Sequence, residues 1–197
     1  IWKDRVAKHQ QYIAKIPFSD FKVFDFLCKN VPSNIQLQVS NSSAIRYLQL
    51  FDLNKTVQVF CNRGTSGIDG STSTAIGAAL VSDLPTMLIT GDISFLYDSN
   101  ALWNNYIPKN FKIILLNNSG GGIFRILPGH QETETFNTYF ETSHQLNALH
   151  LAKMYGFDYY TATDEDSLKT SYKSFLNQNN KPCILEIFTP EKSNNRI

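Results

Sequence analysis

Two polar clusters, each directly after a short apolar run, are the residues of this sequence best suited to chemistry. The run Thr86–Thr90 is followed by Gly91 and Asp92, and the run Lys112–Leu116 by a cluster that contains Asn118 and three glycines. Both runs predict buried strands, with helical sequence between them. A carboxylate, an amide oxygen and a carbonyl exposed by glycine are hard oxygen donors. They suit a Mg²⁺ or Ca²⁺ ion that keeps its remaining positions for diphosphate and water.

The order of these elements predicts where the two clusters meet. A strand, a helix and a second strand form a right-handed parallel unit, which brings both clusters to one edge of the sheet beyond the carboxyl ends of the strands. Open α/β sheets bind their ligands at that edge. Asp92 and Asn118 are 26 positions apart. The alternative interpretation is two ordinary loops, since Asp, Asn and Gly are common turn residues.

Two further loops are predicted at the same edge. The first follows a predicted strand, Ile35–Val39, and leads through Ser40–Ser43 into a helix; it is either an anion site at a helix N-terminus or a plain capped helix. The second follows the predicted strand Val57–Cys61 and runs from Asn62 to Gly70 with three glycines and one arginine. Such a loop allows close approach of the main chain to a ligand.

The rest of the chain predicts the fold class, which is α/β: a doubly wound, mostly parallel six-stranded sheet with helices on both faces. Residues 1–18 predict a linker helix, and residues 19–197 the domain itself. The polar segment that ends at Ser143 is the least regular and is expected to be a mobile cover. The remaining predicted elements are helices at Asp20–Asn30 (N-cap Ser19), Ser71–Ser82 and Asn147–Tyr155, strands at Asp158–Thr161 and Pro182–Phe188, and a helix from Asp164 through Phe175.

Composition excludes several functional classes. Eighteen basic and 17 acidic residues give a net charge of +1, which provides no general field for nucleic acid or an anionic membrane. No apolar run approaches membrane-spanning length, and the first residues are too polar for a signal peptide. Cys28, Cys61 and Cys183 are odd in number and lie in apolar surroundings, as reduced packing residues of a cytoplasmic protein do. Because the chain starts at Ile1 and ends abruptly, we expect it to be part of something longer.

Four motifs in order carry a resemblance to a known family. The Gly-Asp…Asn-Asn pair resembles the signature of thiamine-diphosphate enzymes, although Ile93 stands where a small residue is usual. The segments NSSAIR, NRGTSGIDG, GDISFLYDSNAL and NNSGGGIFRILP together resemble the C-terminal domain of the 2-succinyl-5-enolpyruvyl-6-hydroxy-3-cyclohexene-1-carboxylate synthases. In that family a bulky apolar residue follows Gly-Asp, so Ile93 fits. The strong part of the resemblance runs from Ser40 to His144.

The resemblance implies a thiamine diphosphate site with Mg²⁺ or Mn²⁺. Asp92 and Asn118, with the carbonyl of Gly120, would bind the metal that holds the diphosphate. Ile68 would support the bent cofactor from below, or would simply be a core residue. The residues implied in cofactor binding are Ser42, Ile68, Gly91, Asp92, Ile93, Ser94, Asn118 and Gly120.

The resemblance also implies substrates and their contacts. The implied reaction decarboxylates 2-oxoglutarate and adds the remaining carbon unit to isochorismate in menaquinone biosynthesis. Both substrates are dianions, so Arg46 and Arg63, as bidentate donors, are assigned to their carboxylates. An apolar wall beside the thiazolium would consist of Ile123, Phe124 and Leu127. His9, His130, His144 and His150 are expected to be surface or packing residues.

A thiamine enzyme of this kind needs domains that this sequence lacks. The activating glutamate belongs to a pyrimidine-binding domain, so the chain contains no catalytic residue of its own and is expected to be inactive alone. The implied assembly is a homodimer or homotetramer, with the site between domains of two subunits. Two alternatives remain open: another thiamine-diphosphate 2-oxoacid decarboxylase or carboligase, and a non-catalytic nucleotide-binding or oligomerisation module.

Overall fold

A computed structural model describes residues 2–129, 131–192 and 194, with the side chains of residues 2–7 excepted. Two predictions fall outside the described residues. They concern Ile1, the first residue of the predicted linker helix, and His130, which was expected to be a surface or packing residue. In chain order the elements are α1 (Trp2–Lys15), α2 (Asp20–Asn30), β1 (Gln36–Val39), α3 (Ser43–Leu48), β2 (Gln58–Phe60), α4 (Ser71–Val81), β3 (Thr86–Gly91), α5 (Asp92–Tyr97), a 3₁₀-helix (Ser99–Trp103), β4 (Lys112–Asn117), α6 (Ile123–Ile126), a π-helix (Phe136–Glu141), α7 (Leu149–Tyr155), β5 (Asp158–Ala162), α8 (Glu165–Asn177) and β6 (Cys183–Phe188).

The six strands form one sheet in the order β2-β1-β3-β4-β6-β5, and each neighbouring pair is parallel. This confirms the predicted α/β class and the predicted number of strands. The chain leaves β1 toward β2 on one side and leaves β3 toward β4 on the other, so the direction of winding reverses between β1 and β3. A crevice opens at such a reversal, beyond the carboxyl ends of the strands.

Apolar residues on both faces of the sheet hold the helices in place. Along β4, Ile113 and Leu115 pack into one core cluster, whereas Ile114 and Leu116 pack into the other. This alternation is the two-residue period of a strand that is buried on both sides. Helices α2, α3 and α8 cover the face of Ile114 and Leu116, and α4, α5 and α7 cover the face of Ile113 and Leu115.

The predicted helix starts at Ser19 and Asp164 are confirmed. Ser19 accepts a hydrogen bond from the backbone N–H of Lys22, and Asp164 accepts two from the first turn of α8. Ser167 completes a capping box with Asp164, which satisfies amides that the helix leaves unpaired. Ile13 of α1 and Ile16, which follows the helix, are buried within this chain, whereas Tyr12 is 42% exposed.

The segment predicted as an irregular cover is more ordered than its polar sequence suggested. Residues 123–126 form α6, and Phe136–Glu141 forms a π-helix in which Phe136 and Glu141 are buried. A polar segment without a 3.6-residue apolar period gives no signal for such a turn, because the order comes from contacts with distant loops. The expectation of irregular structure after Phe124 is therefore wrong for Arg125, Ile126 and Phe136–Glu141.

Candidate functional site

A cavity of about 380 Å³ lies at the carboxyl edge of the sheet, next to the crevice between β1 and β3. The loops after β1, β2, β3 and β4 all contribute to its wall. All eight residues that the sequence assigned to the cofactor line this one cavity: Ser42, Ile68, Gly91, Asp92, Ile93, Ser94, Asn118 and Gly120. The predicted convergence of separate loops is thus present in the structure.

Asp92 is the first residue of α5 and is 4% exposed. Its Oδ1 accepts a hydrogen bond from its neighbour Ile93 N at 2.7 Å, and its Oδ2 accepts one from Gly120 N at 3.0 Å. The second bond ties the loop after β3 to the loop after β4. It also fixes the carboxylate without neutralising its charge.

His144 lies against this carboxylate and is partly buried, which fits the packing alternative of the prediction. Its Nε2 is 3.3 Å from Asp92 Oδ2, within ion-pair distance although it is not aligned as a hydrogen bond. Its Nδ1 accepts from the backbone N–H of Leu146, so the proton of a neutral imidazole is on Nε2. The interaction with Asp92 raises the pKa of His144 above its usual value. Of the other histidines, His9 packs between aromatic rings and His150 is exposed, as expected.

Asn118 lies in the loop after β4 and is 7% exposed. Its Nδ2 donates to Oδ2 of Asp20 at 2.8 Å, whereas its Oδ1 is buried and has no hydrogen-bond partner. A buried amide oxygen without a partner is costly unless a ligand completes it.

Asp20 was not singled out in the sequence. Burial is the main cause that raises the pKa of Asp20 to about 6, and the charge of Asp92 adds to the effect, against hydrogen bonds from Thr189 and Asn118.

Asn41 and Ser94 hold the loop that carries Ile68. Asn41 Nδ2 donates to the carbonyls of Asn62 and Gly67, at 2.8 and 2.6 Å. Ser94 Oγ donates to the carbonyl of Ile68 at 2.5 Å. The predicted cofactor-binding hydroxyl of Ser94 therefore also fixes the backbone at Ile68, whose side chain is half-buried in the cavity wall.

The two arginines assigned to substrate lie at the margin of the cavity and do not line it. Arg46 is exposed, and its Nη1 donates to the carbonyl of Ser42 at 2.9 Å. Arg63 is exposed, and its Nη1 donates to Asn41 Oδ1 at 3.0 Å. Both guanidinium groups are thus bonded to residues of the cavity wall, with donors left for an anion at the opening. Their substrate roles stay predictions.

The helix α6 and the π-helix contribute apolar side chains to the wall. Ile123 and Phe124 line the cavity as assigned, whereas Leu127 lies outside the lining and is 46% exposed. The ring of Phe124 meets that of Phe140 edge to face, with centroids 5.9 Å apart. Phe140 was not singled out in the sequence analysis, because its helix was not predicted.

A buried ion pair joins α6 to the π-helix. The guanidinium of Arg125 donates through Nε and Nη2 to the two carboxylate oxygens of Glu141, and both side chains are almost fully buried. Glu141 also accepts the backbone N–H of Gly121 through its main-chain carbonyl at 2.6 Å. The pair therefore fastens the cover to the glycine loop that follows Asn118.

Comparison with known families agrees with this geometry. Residues 41–187 match the family described as thiamine pyrophosphate enzyme, C-terminal TPP binding domain. The chain belongs to the thiamine pyrophosphate enzymes. The match covers β2 to β5, all of β6 but its last residue, and the loops after β1 to β4 from Asn41 on, whereas Asp20 precedes it.

Three curated relatives of this chain bear the same name. The chain is 66% identical to the 2-succinyl-5-enolpyruvyl-6-hydroxy-3-cyclohexene-1-carboxylate synthase of Flavobacterium psychrophilum and 64% identical to that of Flavobacterium johnsoniae, over all 197 residues in each case. It is 42% identical to the Bacteroides fragilis protein of that name over 185 residues, 93% of the chain. The chain spans 36%, 36% and 33% of these three relatives, respectively.

The donor set of the TPP-binding domain fits a hard cation. Among the described residues, no group of three or more His, Cys, Asp or Glu side chains could hold a metal by itself. One carboxylate (Asp92), one amide oxygen without a partner (Asn118) and a backbone carbonyl (Gly120) are instead an incomplete set of oxygen ligands, which diphosphate oxygens and water would complete. Within the part of the chain that the structure describes, no helix has the length and apolar character needed to cross a membrane.

Proposed function

We propose that this chain is the C-terminal, cofactor-binding part of a 2-succinyl-5-enolpyruvyl-6-hydroxy-3-cyclohexene-1-carboxylate synthase, a transferase of menaquinone biosynthesis. The complete enzyme would decarboxylate 2-oxoglutarate and join the remaining carbon unit to isochorismate. The observation that carries the proposal is the identity of 66% and 64%, over the whole chain, to two proteins of that name. The cavity supports it, because all eight residues assigned to the cofactor line it.

The cation site is proposed to consist of Asp92, Asn118 and the carbonyl of Gly120, with Mg²⁺ or Mn²⁺ as the metal. Asp92 supplies the charge and is already held in place by Gly120 N. Asn118 supplies an oxygen that has no other partner. Thiamine diphosphate, when bound, supplies the chemistry that removes carbon dioxide from a 2-oxo acid and transfers the remainder to an acceptor.

The other residues of the cavity bind and orient rather than react. Ile68, held at its carbonyl by Ser94, would offer an apolar surface to the cofactor. Ile123 and Phe124 exclude water from one side of the cavity, which strengthens electrostatic interactions inside it. Arg46 and Arg63 at the opening are proposed to hold the substrate carboxylates, since bidentate guanidinium–carboxylate pairs are strong and directional.

The proposal requires domains beyond this chain. We propose that the activating glutamate lies in a pyrimidine-binding domain of the same polypeptide, and that the enzyme is a cytoplasmic homodimer or homotetramer. The lengths of the relatives support this, because the chain spans about a third of them (36%). Residues 1–197 alone should therefore show no decarboxylation of 2-oxoglutarate with thiamine diphosphate and Mg²⁺.

The deciding experiment uses the full-length protein with thiamine diphosphate and Mg²⁺. 2-Oxoglutarate and pyruvate are each supplied with isochorismate, and the products are identified by mass spectrometry. We expect a succinyl adduct from 2-oxoglutarate and little turnover of pyruvate. Faster turnover of pyruvate, or no adduct with isochorismate, would mean a different thiamine enzyme.

A further inference from the structure

Asp20 is a buried carboxylate in the cavity wall that nothing in the proposed reaction uses. It is the first residue of α2, 2% exposed, and lies outside the part of the chain that matches the TPP-binding family. Its backbone N–H donates to Asn194 Oδ1 at 2.9 Å, which holds the start of α2 against the end of the chain. Burying a carboxylate costs free energy unless it is hydrogen-bonded, so the groups that bond to Asp20 indicate what its burial achieves.

Each carboxylate oxygen of Asp20 accepts a hydrogen bond from a residue that follows a strand. Oδ2 accepts from Asn118 Nδ2, after β4, at 2.8 Å, and Oδ1 accepts from Thr189 Oγ1, after β6, at 2.5 Å. The carboxylate therefore bridges two loops at the carboxyl edge of the sheet. Only the bond to Asn118 touches a residue of the proposed cation site.

The bond to Asn118 decides which way its amide points. An ionised carboxylate only accepts hydrogen bonds, so it fixes the NH₂ group of the amide toward itself. The reversed amide would set its oxygen against a carboxylate oxygen and lose the bond. With Nδ2 held by Asp20, Oδ1 becomes the atom without a partner. The side chain is thus prepared as an oxygen donor before any ligand arrives.

We propose that Asp20 is a positioning residue, which orients Asn118 so that its amide oxygen is presented to the divalent cation of the cofactor. This inference rests on the proposed cation site. It also explains why a residue 98 positions from Asn118 lines the same cavity. The competing interpretation is that Asp20 only fastens α2 to the sheet, as its bonds to Thr189 and Asn194 do.

The test measures the affinity of the full-length protein for Mg²⁺ at saturating thiamine diphosphate, by titration calorimetry, and its thermal midpoint without either. Asp20→Ser is too short to reach Asn118 and should weaken Mg²⁺ binding about tenfold or more, the effect of losing a hydrogen bond to a charged group. Asp20→Asn can still accept from Asn118 through its oxygen and donate to Thr189, so its affinity should stay within about threefold of wild type.

Thr189→Val is the matched control. It removes the other hydrogen bond of the same carboxylate and should lower the thermal midpoint, but it leaves Asn118 held and the Mg²⁺ affinity nearly unchanged. Should Asp20→Ser not fold, Asp20→Glu takes its place. It keeps the charge but displaces the oxygens by one methylene, and the same loss of affinity is expected.

Three results would overturn the inference. The first is a Mg²⁺ affinity within twofold of wild type in Asp20→Ser or Asp20→Glu. The second is an equal loss in Thr189→Val, which would reflect general stability. The third is an equal loss in Asp20→Asn, which would make charge rather than orientation responsible. Failure of the proposed function looks different: Asp92→Ala would then leave metal-dependent cofactor binding intact.

Discussion

Gly120 N lies 3.0 Å from Asp92 Oδ2 and donates a hydrogen bond to it. The two residues are 28 positions apart and follow neighbouring parallel strands, β3 and β4. The bond joins the loops that follow two neighbouring strands. It thereby holds a carboxylate and the backbone of a glycine loop at the same cavity. We therefore expect changes at either end of the bond to weaken binding of the cation.

Gly120→Ala should damage this junction. A Cβ on Gly120 would meet the carbonyl oxygen of Glu141 at 2.8 Å, a distance that real side chains do not reach. Relief of the clash must move the loop or the π-helix, at a cost of about 1–3 kcal/mol. We expect a lower thermal midpoint and weaker Mg²⁺ binding in calorimetry. Gly77→Ala in α4 is the control, because its Cβ meets nothing within 4 Å and should be neutral or stabilising. Unchanged Mg²⁺ binding in Gly120→Ala would contradict this geometry.

Arg125→Met should loosen the cover of the cavity. It leaves Glu141, which is 1% exposed, as an uncompensated buried carboxylate. Breaking a buried pair in this way costs about 3–5 kcal/mol, whereas replacing both partners by apolar residues is often neutral. Native-state hydrogen exchange should show that backbone amides of residues 120–144 lose protection in Arg125→Met. Their protection should return in Arg125→Met/Glu141→Leu. Lys169→Ala, which breaks an exposed pair with Asp166, should change nothing measurable. Equal exchange in all variants would mean that the pair does not hold the cover.

Arg63→Ala should act on substrate more than on cofactor. The guanidinium is exposed and donates to Asn41 Oδ1 of the cavity wall, and Arg63 is not one of the proposed cation ligands. Loss of a charge-assisted contact of about 1.5–3 kcal/mol should raise the KM for a dianionic substrate about tenfold or more. Steady-state kinetics and cofactor titration on the full-length protein separate the two effects. Lys173→Ala on α8 is an exposed-cation control. Equal losses for substrate and cofactor would count against the assignment.

The buried thiols should resist alkylation in the folded protein. Burial raises the pKa of Cys28 to about 12 and that of Cys183 to about 11, and neither forms a disulfide. The reactive thiolate is therefore scarce at pH 8, in addition to being inaccessible. Iodoacetamide labelling read by peptide mass spectrometry should modify both residues only after unfolding in urea. Rapid modification of either one in the native protein would show that its core opens.

The sequence predicted those features of the fold that depend on local pattern. Apolar runs such as Lys112–Leu116 and the N-caps Ser19 and Asp164 were identified from neighbours a few residues away, and they are confirmed. The loops that form the cavity were identified because parallel strands place their carboxyl ends together.

Features that depend on distant contacts were not predictable. The π-helix Phe136–Glu141 has no apolar period of its own and is fixed by bonds to the glycine loop and to Arg125. The proximity of His144 to Asp92 and that of Asp20 to Asn118 join residues 52 and 98 positions apart. The sequence around an isolated polar residue does not indicate such a partner. Contacts between distant residues depend on the packed fold and not on their spacing along the chain.

Binding of thiamine diphosphate to the full-length protein, measured by calorimetry with and without Mg²⁺, is the most direct test of the central claim. The wild type should bind the cofactor tightly only when Mg²⁺ is present. Asp92→Ala should lose that dependence and the high affinity together, since it removes the one charged ligand of the proposed site. Asp69→Ala, which removes an exposed carboxylate of the neighbouring loop, should bind as the wild type does. Unchanged metal-dependent affinity in Asp92→Ala would contradict the account.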